Sequence, residues 1–206
     1  YNPEIGDQMY PGEIGGQIDA FYNFRRGTKI GGKRGMRVHA NFSTYYAIAN
    51  DNLLFRDFSF DVEKQWTKKF KTVLLYSLQQ YNESYGAEAD YMTQNIVVAD
   101  LLYKWTPTFS TKLELQYLQT KQDKKDWMAA LLEVNFAPHW SIYASAMYNH
   151  GDTKVHYYNA GVSYNKSRTR IALAYGRYKS GFICSGGVCR KIPAYTGASV
   201  TVTTSF

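Results

Sequence analysis

Segments of about ten residues in which apolar and polar side chains alternate recur along most of the chain. In the last of them, Val200 and Val202 alternate with Thr201 and Thr203. Successive side chains of a strand point to opposite faces, so an alternation of period two predicts strands. No internal sequence repeat is evident beyond this rhythm. We predict no helix and about eleven strands, at residues 17–24, 36–44, 58–66, 70–78, 96–105, 109–117, 127–136, 140–148, 157–164, 169–178 and 196–206.

The composition excludes two classes of protein. Aromatic residues make up 17% of the 206 residues, which is far too many for a disordered segment. No apolar run approaches the roughly 18 to 20 residues that a membrane-spanning helix needs. Strands of a membrane β-barrel alternate and leave no such run, so that class stays open.

The connections between the predicted strands alternate in length. Short turns on one side and longer loops on the other are typical of outer-membrane barrels, in which the short side is periplasmic. The link at 47–52 is short for an outer loop, and the glycine-rich segment at 25–35 is long for a periplasmic turn. The tight connections are 67–69, 106–108, 137–139 and 167–168, and the longer ones are 82–90, 119–126, 150–154 and 179–193.

Charged residues favour one face of the predicted strands. The apolar face receives only Lys64 and Arg177, both near strand ends where a long side chain can reach water. Placing Arg or Lys in the middle of a lipid-facing surface costs about 2–4 kcal/mol, so this asymmetry is expected for a barrel in lipid. The polar face, predicted to line a lumen, carries Asp19, Arg37, Asp61, Glu63, Lys71, Asp100, Lys104, Lys112, Glu114, Glu133 and Arg170.

Aromatic residues flank the short turns on the apolar face, as expected for rings at a membrane interface. A soluble sandwich would also alternate, but it has no reason to place aromatic residues beside every tight turn. We therefore predict an all-β fold, a transmembrane antiparallel up-and-down β-barrel, as a single domain over residues 1–206. The predicted aromatic girdle comprises Trp66, Phe70, Trp105, Phe109, Phe136, Trp140, Tyr164 and Phe206.

The strand count bears on completeness, because bacterial single-chain barrels have an even number of strands. About eleven strands favour the C-terminal part of a larger barrel over a complete barrel of 10 or 12 strands.

The pair Cys184 and Cys189 lies in one short loop and favours a local disulfide over two free thiols. With no histidine near this pair, the ligands that a zinc site needs are lacking.

The formal net charge of +7 permits an anionic partner. Basic residues near the longer loops could pair with lipopolysaccharide phosphates or be ordinary surface charge. No nucleic-acid recognition motif is present. The segment at 25–35 lacks the spacing of a P-loop, so we expect it to form a turn or a plug that folds into the barrel. The basic residues near the longer loops are Lys121, Lys124, Lys125, Lys154, Arg177, Lys179, Arg190 and Lys191.

Two parts of the sequence resemble known proteins. The final TGASVTVTTSF, with Val202, Thr204 and Phe206 on one face, resembles the β-signal that the barrel-assembly machinery recognises. The N-terminal stretch from NPEIGDQ to GGKRG, together with the CSGGVC loop, resembles an uncharacterised family of Bacteroidota outer-membrane proteins. The resemblance implies an outer-membrane location and a β-barrel fold, and the pattern of short turns predicts a C-terminus on the periplasmic side. The resemblance also implies longer relatives, and it brings no catalytic residues.

Three functional hypotheses follow. The polar face suggests a non-enzymatic channel or transporter for small solutes. The mixed signs of its charges suggest instead a structural or partner-binding barrel in a complex with other outer-membrane proteins or lipoproteins. An enzyme acting on lipid or peptide would depend on His150, Asp152 and His156, whose spacing matches no catalytic motif. We expect no enzymatic activity, no cofactor and no metal.

Overall fold

The computed structural model describes residues 12–82, 91–122, 124–185 and 188–204, and for residues 182–185 and 188–192 it describes the backbone alone. All the regular elements in this part of the chain are strands. None of these residues belongs to a helix long and apolar enough to cross a bilayer. The strands are β1 Glu13–Phe24, β2 Met36–Ala47, β3 Leu53–Gln65, β4 Phe70–Asn82, β5 Tyr91–Lys104, β6 Phe109–Thr120, β7 Trp127–Phe136, β8 Trp140–Asn149, β9 His156–Lys166, β10 Thr169–Tyr178, β11 Gly181–Ser185, β12 Val188–Ile192 and β13 Tyr195–Thr204.

Eleven strands form one antiparallel up-and-down sheet in the order of the chain. Strand β10 pairs with β13, and β11 and β12 form a separate two-stranded hairpin. All eleven predicted strands are therefore confirmed, whereas the segment 179–193, predicted as a loop, contains the hairpin. The sheet is open, with β1 and β13 at its edges, so closure into a barrel stays a prediction.

The register keeps the two faces separate across the whole sheet. Opposite residues on neighbouring antiparallel strands share a face. Phe42 pairs with Ile18 on one side and with Phe58 on the other, and Phe58 pairs with Leu78. A single irregularity, between Tyr45 and Tyr46, interrupts the pairing of β2 with β3. The apolar positions of all eleven strands consequently form one continuous surface.

The apolar surface is the more exposed of the two. Leu173 and Val200 are 51% and 69% exposed, while Ala172 and Ala174, on the other face, are partly sheltered. Such a difference arises when a sheet curls, because side chains crowd on the concave face and spread on the convex one. The buried apolar side chains of the described residues are few and lie near the longer connections: Ala47, Leu53, Leu54 and Met92.

Asn149 organises the longer connections at that same end. Its side chain is fully buried, and its Nδ2 donates to the Lys124 carbonyl at 2.6 Å and to the Asp126 carbonyl at 3.2 Å. Its Oδ1 accepts from the backbone amides of Asp152, at 3.0 Å, and Thr153, at 2.7 Å. One amide therefore joins the β6–β7 connection to the β8–β9 connection, with donor and acceptor both satisfied.

Candidate functional site

The polar face of the sheet brings together the charged residues predicted to line a lumen. The register from β1 to β10 places all of them on one face. Whether that face lines a lumen stays a prediction, because the sheet is open. The residues are Asp19, Arg37, Asp61, Glu63, Lys71, Asp100, Lys104, Lys112, Glu114, Glu133 and Arg170.

One cluster on this face centres on His39. Its Nδ1 lies 2.7 Å from Asp61 Oδ1, and its Nε2 lies 3.0 Å from Asp19 Oδ1. Asn41 Nδ2 donates to the second oxygen of Asp19 at 3.2 Å. The imidazole thus bridges carboxylates of β1 and β3 across β2. No group of three ligand side chains among the described residues is arranged to hold a metal ion.

A second cluster centres on Lys112. Its ammonium lies 3.0 Å from Asp100 and 3.2 Å from Glu114, while Lys71 pairs with Glu63 at 2.8 Å. These pairs join β5 to β6 and β3 to β4. Most charged groups in this half of the face therefore contact a partner of opposite sign, which lowers the net field that they present.

The other half of the face, on strands β8, β9, β10 and β13, is nearly uncharged and combines small residues with tyrosines. Arg170 is the one charged residue at the face positions of these strands in the described chain. A Cβ atom at Gly161 would lie 2.6 Å from Cε1 of Tyr143, so the tyrosine ring lies across the glycine. Tyr178 stacks on Tyr195, with ring centroids 4.6 Å apart. On this half of the face, tyrosine rings therefore pack over a glycine and against one another.

A cavity of about 320 Å³ opens on the polar face near the longer connections. Trp127 forms part of its wall, stacks against Tyr157 at 6.3 Å and carries the Lys179 ammonium over its ring at 4.3 Å. Gln94 and Gln116 add amide groups to the lining. The cavity offers aromatic, amide and cationic contacts to a small solute, and the sequence prediction did not identify it.

The apolar face carries a belt of aromatic rings at the tight-turn end. Trp66, Trp105 and Trp140 are half exposed there, at 55%, 51% and 50%. Phe109 stacks against Phe136 at 5.0 Å, and Trp140 packs against Tyr164 at 4.8 Å. The predicted girdle residues among the described chain therefore lie at one end of the sheet, whereas Phe206 lies outside the described residues.

Two of the tight turns share a motif that the sequence prediction missed. WTKKFKT at 66–72 and WTPTFST at 105–111 both read W-T-x-x-F-x-T. In each turn the first threonine hydroxyl accepts from the phenylalanine amide, at 3.0 Å for Thr67 and 3.0 Å for Thr106. Comparing the two turns residue by residue reveals the motif.

The remaining predicted sites are placed as follows. Cys184 and Cys189 are directly opposite in the β11–β12 hairpin, where Cα atoms lie within reach of a disulfide, but the bond itself stays a prediction.

His150 stacks on Tyr117 at 5.7 Å, and His156 contacts Tyr148 at 6.0 Å. Among the described residues, no ion pair joins His150 to Asp152, and the Asp152 backbone amide donates to Asn149 Oδ1 at 3.0 Å. Val202 and Thr204 of the predicted β-signal lie in β13.

A protein-family model matches residues 7–206 and carries the description "Family of unknown function (DUF6029)". The chain belongs to the DUF6029 family. No curated protein and no solved structure matches it. The DUF6029 match includes the belt, the polar face and the repeated turn motif, so all three lie within the family's sequence region.

Proposed function

We propose that this protein is an integral outer-membrane β-barrel, without enzymatic activity, that provides a polar channel for small solutes. The observation that supports this proposal is the distribution of apolar and charged side chains between the two faces of the sheet. Large apolar groups such as Leu132 and Ile142 are about half exposed, whereas ion pairs occupy the more sheltered face. Such an exposed apolar surface is stable in contact with lipid, because the lipid-facing side of a membrane-spanning strand must be apolar.

The ends of the sheet support an orientation. Tight turns and the aromatic belt lie at the end where Thr204 pairs with Thr169, so this end and the C-terminus are assigned to the periplasm. The resemblances to the β-signal and to Bacteroidota outer-membrane proteins support the same location and the barrel-assembly machinery as a partner. The longer connections then face outward, where their lysines can contact lipopolysaccharide.

A second candidate function is a sealed barrel that serves as a structural or partner-binding subunit with other outer-membrane proteins or lipoproteins. The observation that favours it is the pairing within the polar face. Lys112 contacts two carboxylates, and Tyr178 stacks on Tyr195. Side chains that satisfy one another in this way leave less room for water and solutes than a face of one sign would.

Conductance measurements distinguish the two functions. The protein is folded into planar bilayers, and single-channel currents are recorded in potassium chloride. Discrete open-channel currents are expected from the channel. Their absence, together with no uptake of small sugars or amino acids by vesicles that contain the folded protein, would contradict the channel and leave the scaffold.

A further inference from the structure

The tight-turn end of the molecule is strongly basic. The connections 25–35, 66–69, 105–108, 137–139 and 167–168 contain no aspartate or glutamate. Near this end, Glu63 is already paired with Lys71. We define the basic rim as the exposed residues Arg25, Arg26, Lys29, Lys33, Lys68, Lys69, Lys166 and Arg168.

The largest part of the rim lies on a folded loop between β1 and β2. Thr28 Oγ1 donates to the Arg25 carbonyl at 2.8 Å and accepts from the Gly31 amide at 2.9 Å. A Cβ atom at Gly31 would lie 2.2 Å from the Arg25 carbonyl oxygen, so glycine is required at this close approach. Lys64 Nζ donates to the Ile30 carbonyl at 2.8 Å and holds the loop against β3. The cations of this loop therefore project from a defined surface. The sequence analysis expected a turn or an inward-folded plug at this segment.

The rim lies next to the aromatic belt along the chain. Lys68 and Lys69 follow Trp66, and Lys166 follows Tyr164. Aromatic rings prefer the headgroup level of a membrane, so cations directly beyond them lie at the depth of lipid phosphates. Ile30, which is 54% exposed among the loop cations, adds an apolar contact of the kind that enters an interface.

We infer that the basic rim binds the headgroups of anionic phospholipids in the leaflet that surrounds the tight turns. This inference rests on the proposed membrane location and adds a lipid preference to it. Arginine and lysine pair with phosphate through charge-assisted hydrogen bonds, and each basic residue near an anionic surface contributes to binding. A neutral lipid has no net charge to attract the rim.

Tryptophan quenching by brominated lipid tests the preference. The chain has four tryptophans, and Trp127→Phe removes the one at the opposite end, which leaves Trp66, Trp105 and Trp140 as reporters near the rim. The folded variant is placed in phosphatidylcholine vesicles that contain brominated phosphatidylglycerol or brominated phosphatidylcholine. We expect phosphatidylglycerol to reach half-maximal quenching at an about fivefold lower mole fraction at low salt.

Two sets of variants localise the effect. R25Q/R26Q/K29Q/K33Q should remove most of the preference, and K68Q/R168Q, which leaves the loop intact, should remove part of it. The matched variant K121Q/K124Q/K125Q/K154Q changes four lysines at the opposite end and should keep the preference. Gel mobility of unheated samples establishes that each variant has folded.

The outcomes separate the lipid preference from the membrane proposal. Equal quenching by both lipids, or a preference that survives in both rim variants, would overturn the inference and leave the membrane location intact. A rim that binds heparin in solution but shows no lipid preference would point to a soluble acidic partner, and this also overturns it. An absence of quenching by either lipid would contradict the membrane location itself.

Discussion

The indole Nε1 of Trp66 donates to Thr72 Oγ1 at 2.8 Å across a tight turn, and Trp105 donates to Thr111 Oγ1 at 3.1 Å in the same way. Each hydroxyl satisfies the polar edge of an indole while the rest of the ring stays on the apolar face. The first threonine of the repeated motif therefore closes the turn, and the last threonine holds the tryptophan ring of the aromatic belt in position.

Replacing the first threonine of the motif should weaken the turn. In Thr67→Ala, the amides of Lys69 and Phe70 lose a shared acceptor that lies 3.1 and 3.0 Å away. We expect the free energy of unfolding to fall by about 0.5–1.5 kcal/mol, measured by urea titration of the protein folded in vesicles. Lys68→Ala, in the same turn, is the matched control and should change it little in phosphatidylcholine vesicles, whose headgroups have no net charge to attract the basic rim. Equal losses in both variants would contradict the role of the hydroxyl.

The contact of Tyr143 with Gly161 predicts a strong size limit at the glycine. Gly161→Ala would place a methyl group 2.6 Å from the tyrosine ring and 2.9 Å from the Leu173 carbonyl. We expect a loss of about 1–3 kcal/mol, measured by the same titration. Gly16→Ala is the control, since nothing lies within 4 Å of the position that its methyl group would take. A neutral Gly161→Ala would show that the ring does not lie across the glycine.

Asn149 should be the residue on which the longer connections depend. Asn149→Ala loses the hydrogen bonds to both connections, and we expect a loss of about 1–3 kcal/mol with faster protease cleavage of residues 121–126 and 150–155. Asn149→Asp keeps the acceptor for Thr153 but loses the donor to Lys124. Its cleavage should increase at 121–126 more than at 150–155, and the reverse order would be inconsistent with the geometry.

Lys112 should balance the charge of its part of the polar face. Lys112→Gln leaves Asp100 and Glu114 without their shared cation, so the local charge at neutral pH changes from −1 to −2. If the face lines a channel, cation permeability relative to chloride should rise. The measurement is the reversal potential across a bilayer with a potassium chloride gradient. Glu114→Gln should shift it in the opposite direction, and shifts of equal sign in both variants would place this face outside the conduction path.

The strand pattern was predictable because alternation is a local property. The predicted strands nevertheless end too early near the longer connections: the strand predicted at 70–78 continues to Asn82, and that predicted at 96–105 begins at Tyr91. Side chains such as Gln80 and Thr93, which pair there, are polar on the face that is otherwise apolar, so the alternation fades before the pairing does.

The site was predictable only in part. Alternation assigns His39 and Asp61 to one face, but the bridge from Asp19 through His39 to Asp61 depends on register, which the sequence does not display. The buried contacts of Asn149 were missed for the same reason, because they join segments that are distant along the chain.

The central claim is that the apolar face contacts lipid, and adjacent leucines in the middle of β7 test it most directly. Leu132 lies on the apolar face and is 47% exposed, and Leu131 lies on the polar face opposite Glu114. In lipid, Leu132→Arg should cost about 2–4 kcal/mol and reduce the folded fraction in vesicles, while Leu131→Arg should fold like the parent protein. If Leu132→Arg folds as well as Leu131→Arg, the apolar face does not lie in a membrane.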